Sequence, residues 1–247
     1  MDRGAQLVAA REPVMVEGSI LDPGLAMTPQ LRIQRFREEE VANVVTHGAG
    51  LVLAAIGTWW MLQTTWAHAT AWHVVSVIAF GGSLMAVFLS SSLYHGAVDV
   101  ARKAWLNKFD HVAIHLLIAG TYTPFALLQL RDGAGMILFA FIWSLAVFGI
   151  YMKVWHTERY GRWSLLVYLI MGYSCVPFMP TLIDALPPEA MKLLITGGIA
   201  YTLGVGFYLW EKQPFAHTVW HLFVLAGAGL HYIAVLWYVL PVGSVVA

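Results

Sequence analysis

From about residue 44 onward the chain alternates long apolar runs with short polar breaks. Seven runs stand out, at about 44–65, 74–95, 108–130, 134–154, 163–184, 190–210 and 216–240. Each is long enough to cross about 30 Å of hydrocarbon, which takes about 20 helical residues. Lipid offers the backbone no hydrogen-bond partners, so each run is predicted to be a helix. The expected fold is an all-α membrane protein, a seven-transmembrane helix bundle over 44–240. The tightest break is Arg131-Asp132-Gly133. Ahead of the bundle, Leu31, Ile33, Phe36 and Val41 are interleaved with Arg32, Arg35 and Arg37. That mixture, following Thr28-Pro29, predicts an amphipathic interfacial segment over 31–43. Residues 1–30 are weakly patterned and read as a disordered cytoplasmic tail without a signal peptide; 241–247 form a short external tail.

Within the runs, Pro124, Pro177 and Pro180 are expected to kink or end their helices. Gly197, Gly198, Gly204 and Gly206, then Ala226 to Gly229, predict close approach of the last two helices. Trp59, Trp60, Trp66 and Trp72 flank the first outer loop as an interfacial aromatic belt.

Composition sharpens the class. The chain of 247 residues is 59% hydrophobic and only 11% charged, against about 25% charged in soluble domains; its mean hydropathy is +0.68. Net charge is zero, so charge implies no nucleic-acid partner. A single cysteine, Cys175, excludes an internal disulfide and a cysteine-based zinc cage, while ten histidines are many for so few charges. Lysine and arginine set the orientation. Twelve of them lie in the N-terminal tail and in the second–third, fourth–fifth and sixth–seventh connections, against Arg131 and Lys192 on the other side. The N-terminus is therefore expected in the cytoplasm and the C-terminus outside, in a multi-pass protein of the cell inner (plasma) membrane.

The chemistry gathers at the cytoplasmic side. His217 and His221, four apart at the head of the last run, share one helix face and can reach one metal ion. The second helix ends at Ser90-Ser91-Ser92-Leu93-Tyr94-His95, and the third starts near Asn107-Lys108-Phe109-Asp110-His111, at the same depth. His95, His217 and His221 would supply three imidazoles, and three protein ligands plus a water is the catalytic pattern for zinc. Ser91, one turn from His95, is placed to bond a water or a developing oxyanion, and Asp110 to orient or deprotonate that water or to hold a ligand imidazole. Blander roles stand beside these. His95 fits an interfacial histidine, Ser91 a bond back to its own helix, and Asp110 the cap of the third helix. His111 and His115, also four apart, are a rival ligand pair. Glu40, Asn43 and His47 line up on the first helix and read as hydrogen bonding at its start. His231 reads as a buried helix-to-helix hydrogen bond, or as a substrate or proton contact.

EEVANVVTHGAG at 39–50, SSSLYH at 90–95, KFDHVAIHLLIAGTYTPF at 108–125 and HTVWHLFVLAGAGLHY at 217–232 together resemble the hemolysin III family. That is the bacterial branch of the progestin and adiponectin receptor family, and the resemblance covers about 38–240. It implies zinc held by His95, His217 and His221, with Ser91 and Asp110 near the ion and Asp110 bonded to its water. It also implies an N-inside topology and kinship with seven-helix, ceramidase-like metal-dependent hydrolases. The expected function is a zinc-dependent hydrolase of a lipid amide or ester using a metal-activated water, with a membrane lipid as substrate or ligand. The alternatives are a pore-forming cytolysin with a structural zinc, and a lipid-state receptor or regulator without chemistry. Oligomeric state is left open.

Overall fold

The computed structural model describes residues 29–131, 133–157, 163–210 and 213–241. The two tails, 1–28 and 242–247, lie outside the described residues. Seven helices are long and apolar enough to cross a membrane, and no strand occurs among the described residues. They are α1 (Pro29–Thr65), α2 (Ala71–Gly96), α3 (Val100–Pro124), α4 (Gly135–Trp155), α5 (Ser164–Ala185), α6 (Pro188–Leu209) and α7 (Ala216–Ala234). The expected seven-helix bundle is present.

Two boundaries differ from the sequence pattern. α1 runs without a break from Pro29 through the segment 31–43 into the apolar run, about 55 Å in all. α3 starts at Val100, about two turns ahead of its apolar run, because the Asp99 carboxylate accepts the Arg102 N–H at 2.8 Å and caps it there. Arg102, Lys103 and Asn107 had hidden this first stretch among the polar breaks. Asp110 is therefore an interior residue of α3, and its reading as that helix's cap is corrected.

α2 lies between α1 and α3, α4 packs on α3, and α6 pairs with α7, which returns to α1. α2 and α3 share the most extensive contact. A methyl group at Gly120 would run into the Ser83 side chain and the Ala79 carbonyl; only a glycine admits this approach. Phe80, Val77 and Leu84 of α2 and Leu117 and Ala119 of α3 form the centre of the core. α5 and α6 meet chiefly near the turn that joins them.

The prolines act where expected. Pro124 is followed by a π-helical turn, Phe125–Gln129, and α7 ends in another, Val235–Val239. The Gln129 amide reaches the Val239 carbonyl at 3.3 Å and ties the two turns together. α5 is broken. Its helical pieces Ser164–Tyr173 and Met179–Ala185 flank a short 3₁₀ turn containing Pro177. The groups freed by this break are met from α3, where the Tyr122 hydroxyl donates to the Gly172 carbonyl at 2.7 Å and accepts the Cys175 N–H at 3.1 Å. In hydrocarbon such groups must find their partners within the protein. Tyr122→Phe is expected to lower stability by about 1–3 kcal/mol, the cost of unpaired buried polar groups. Denaturation of the detergent-solubilised protein measures it, and unchanged stability would show that Tyr122 does not hold the break.

Candidate metal centre

Two helix ends deliver three imidazoles to one place. His95 stands on the last turn of α2, and His217 and His221 on the first turns of α7. One ligand nitrogen from each lies within 4.8 Å of the others, and the ring centres are 5.1, 5.0 and 4.7 Å apart. A tetrahedral zinc with bonds of about 2.0–2.1 Å holds its nitrogens about 3.4 Å apart, a closure within the reach of small side-chain rotations. His111 and His115 lie outside this group, with each Nδ1 bonded to the carbonyl four residues earlier on α3, at 2.8 and 3.1 Å.

The hydrogen bonds around His95 decide which nitrogen is free. Its Nδ1 lies 3.1 Å from the Glu40 carboxylate of α1, while its Nε2 is buried without a partner. A carboxylate only accepts, so Nδ1 carries the proton and Nε2 keeps its lone pair for a metal. This is the carboxylate–histidine arrangement that orients ligand imidazoles in metal sites. Glu40 is itself held by Lys103 of α3 at 2.7 Å, and the ammonium sits 4.9 Å from the centre of the Tyr94 ring. Asn43, one turn on from Glu40, accepts from the Thr218 hydroxyl of α7 at 2.6 Å and places its amide nitrogen 3.3 Å from His95 Nδ1. His47, one further turn along, stacks on the His221 ring at 3.6 Å and 14°. The donor set and the unpaired His95 Nε2 fit a metal ion of the kind that favours nitrogen ligands.

Asp110 and Ser91 stand beside these rings. The Asp110 carboxylate lies next to Ser91 and close to His95, and both residues line the same cavity. Ser91 makes no hydrogen bond to its own helix, whereas its neighbours Ser90 and Ser92 bond back to Val87 and Phe88 at 3.2 and 2.7 Å. Of the three serines, Ser91 alone is held in reserve at the polar end of the cavity.

That cavity has a volume of about 980 Å³. Its polar end is the histidine group. Farther in, the wall is apolar, with Ile114, Leu117 and Leu138 on one side and Met191, Leu194 and Ile195 on the other. It reaches exposed residues of α5 (Tyr173, Val176) and α6 (Ile195, Ile199), so it opens sideways between these two helices. A hydrogen bond of 2.9 Å from Tyr173 to Thr202 crosses the gap.

α7 enters the site through a strained corner. Phe215, immediately before the helix, holds φ at 58°, a conformation that costs a residue with a side chain about 1–2 kcal/mol. His217 follows two residues later.

The sequence pattern put Glu40, Asn43 and His47 on one face of α1 but assigned them to the start of that helix. The structure instead brings them against His95, Thr218 and His221. Lys103 was read as a connection residue and sits on α3. Spacing shows a shared face; it does not show which partner that face meets. Replacing Glu40 by Ala removes the acceptor that fixes the His95 tautomer. Metal affinity in the full-length protein is expected to fall about 10–100-fold, read by competition with a chelator. Undiminished affinity would show that Glu40 has no hold on the ligand.

The model of a family described as "Haemolysin-III related" matches residues 36–232. The chain is 41% identical over 213 residues to "Hemolysin-3" of Bacillus cereus, covering 86% of this chain and 97% of that protein. It is 39% identical over 205 residues to "Hemolysin-3 homolog" of Bacillus subtilis (strain 168), covering 83% and 96%. The "Monocyte to macrophage differentiation factor" of Homo sapiens is 31% identical over 209 residues, covering 80% of this chain and 83% of the relative. With seven apolar helices carrying a histidine group that could hold a metal ion, the chain belongs to the haemolysin-III-related family of multi-pass membrane proteins.

Proposed function

We propose that this protein is a hydrolase that cleaves an amide or ester bond of a membrane lipid, with zinc as its metal. One observation carries the proposal. Three imidazoles, a carboxylate and an unpaired hydroxyl close one end of a largely apolar cavity that opens sideways between two apolar helices. Such a space suits a ligand with a hydrocarbon chain and one reactive polar group. Three histidine ligands leave a coordination position open, the pattern of catalytic rather than structural zinc.

When bound, the ion would make a water more acidic and polarise a carbonyl. His95, His217 and His221 would hold it, and Glu40 keeps His95 in place. Asp110 takes a proton from the attacking water as the water's oxygen bonds to the carbonyl carbon. The carbonyl oxygen gains negative charge, and the Ser91 hydroxyl donates a hydrogen bond to it. As the carbon–nitrogen or carbon–oxygen bond breaks, Asp110 returns the proton to the departing amine or alcohol. The products are a fatty acid and that amine or alcohol, and the apolar wall around Leu117 and Leu194 holds the chain meanwhile.

A second reading, a pore-forming cytolysin with a structural metal, is favoured by the name Hemolysin-3 of the Bacillus cereus relative. The apolar wall beyond the histidines weighs against a continuous aqueous path. Lysis of membranes that persists in a folded His217→Ala variant would favour the pore.

Asp110→Asn is expected to reduce turnover of a lipid amide or ester by about 10²–10⁴-fold, the span of acid–base contributions, while metal content stays at one zinc per chain by elemental analysis. If the zinc-replete wild type releases no fatty acid from a panel of lipid amides and esters, the hydrolase reading is wrong.

A further inference from the structure

Buried polar atoms without hydrogen-bond partners mark two places on the cavity wall. One is the metal centre, with Ser91 Oγ and His95 Nε2. The other lies on α6 and α7, where the Tyr201 hydroxyl and His231 Nδ1 both lack a partner. His231 is ten residues beyond His221 on α7, about 15 Å along the helix. The second place is thus well separated from the first, within the apolar part of the cavity.

The two rings are seated with care. A methyl group at Gly197 of α6 would collide with the His231 ring, and one at Gly227 of α7 would come within 2.8 Å of the Tyr201 ring. Each helix omits a side chain where the other inserts an aromatic one. The ring centres are 5.6 Å apart at an interplanar angle of 60°, without a hydrogen bond between them. An unpaired polar atom in such a setting is costly, and a Phe with a Leu would fill the same space without that cost. Intramembrane ionisable and polar side chains of this kind point to a bound partner.

Their hydrogen-bond chemistry defines that partner. The Nε2 of His231 is 3.1 Å from the Leu194 carbonyl, which can only accept, so Nε2 carries the proton and Nδ1 is an acceptor. The Tyr201 hydroxyl offers a donor. A group that serves both must accept one hydrogen bond and donate another. A plain alkyl chain does neither, and an ester or carboxylate only accepts. A trans amide aims its N–H and C=O in opposite directions, whereas these two rings lie side by side. An alcohol hydroxyl meets both demands from one atom.

We infer that Tyr201 and His231 form a second binding station, which takes a hydroxyl carried partway along the hydrocarbon chain of the bound lipid. The station narrows the ligand to hydroxylated lipids whose hydroxyl sits about 15 Å from the group at the histidine cluster. It rests on the reading of the cavity as a lipid site and does not require hydrolysis.

The test uses the full-length, zinc-loaded protein in detergent and two probes, stearate and stearate hydroxylated in mid-chain. Each displaces a fluorescent fatty acid. The wild type is expected to bind the hydroxylated probe about tenfold more tightly, the worth of one to two net hydrogen bonds. In Tyr201→Phe, which deletes an oxygen with no partner in the protein and whose folding is checked by its melting curve, that ratio is expected to fall to within about twofold. Equal affinities in the wild type, or a preference unchanged in the folded Tyr201→Phe variant, would overturn the station. Because binding is read without turnover, lipid hydrolysis with no hydroxyl preference refutes the station alone. A hydroxyl preference without hydrolysis refutes only the hydrolase.

Discussion

The bond between the Glu40 carboxylate and His95 Nδ1 holds the histidine end of the bundle together. Through it a residue of α1 fixes the tautomer of His95 on α2, while Lys103 of α3 holds the same carboxylate. Asn43, one turn away, accepts from Thr218 of α7. Four helices thus converge on groups that hydrocarbon cannot solvate. A buried imidazole with an unmet Nδ1 would be free to turn and bond elsewhere; with Nδ1 committed, Nε2 has a direction and a lone pair. The position of α1 against α2 and α7 is accordingly a condition of the site as well as a matter of packing.

The same absence of water governs where the bundle is allowed to break. Three places depart from regular α-helix inside spanning segments, and each has an identifiable source of hydrogen bonds. Tyr122 serves the interruption of α5. Gln129 joins the π-helical end of α3 to that of α7. The break in α5 has a consequence for access, because its first helical piece does not close against α6, and the cavity reaches the outside there. A prolyl interruption that would be a defect in a closed bundle becomes the side of a lateral opening.

Small and polar residues therefore divide into two kinds. Gly120, Ser90 and Ser92 are absorbed by packing or by their own helix backbone. Ser91, His95, Tyr201 and His231 keep an unpaired atom at the cavity wall. The division is invisible along the chain, where Ser90, Ser91 and Ser92 are adjacent and chemically the same. It arises because α2 turns one of every three or four residues toward the cavity and the others toward its neighbours.

Seven apolar runs, each too long for anything in lipid except a helix, determine the architecture from the sequence alone. The His217–His221 spacing likewise determined that two imidazoles share a face, because helical periodicity is a local property. Local rules were weakest where charge and apolar character mix. The first turns of α3 were lost among polar breaks, and with them the position of Asp110 in the helix interior. Tertiary structure alone decided that His95 joins His217 and His221 while His111 and His115 bond back along α3. It alone decided that the face of Glu40, Asn43 and His47 meets His95, Thr218 and His221. Which face of one helix meets which face of another depends on tilt, rotation and close approach summed over the whole bundle, and no short stretch of residues encodes that sum.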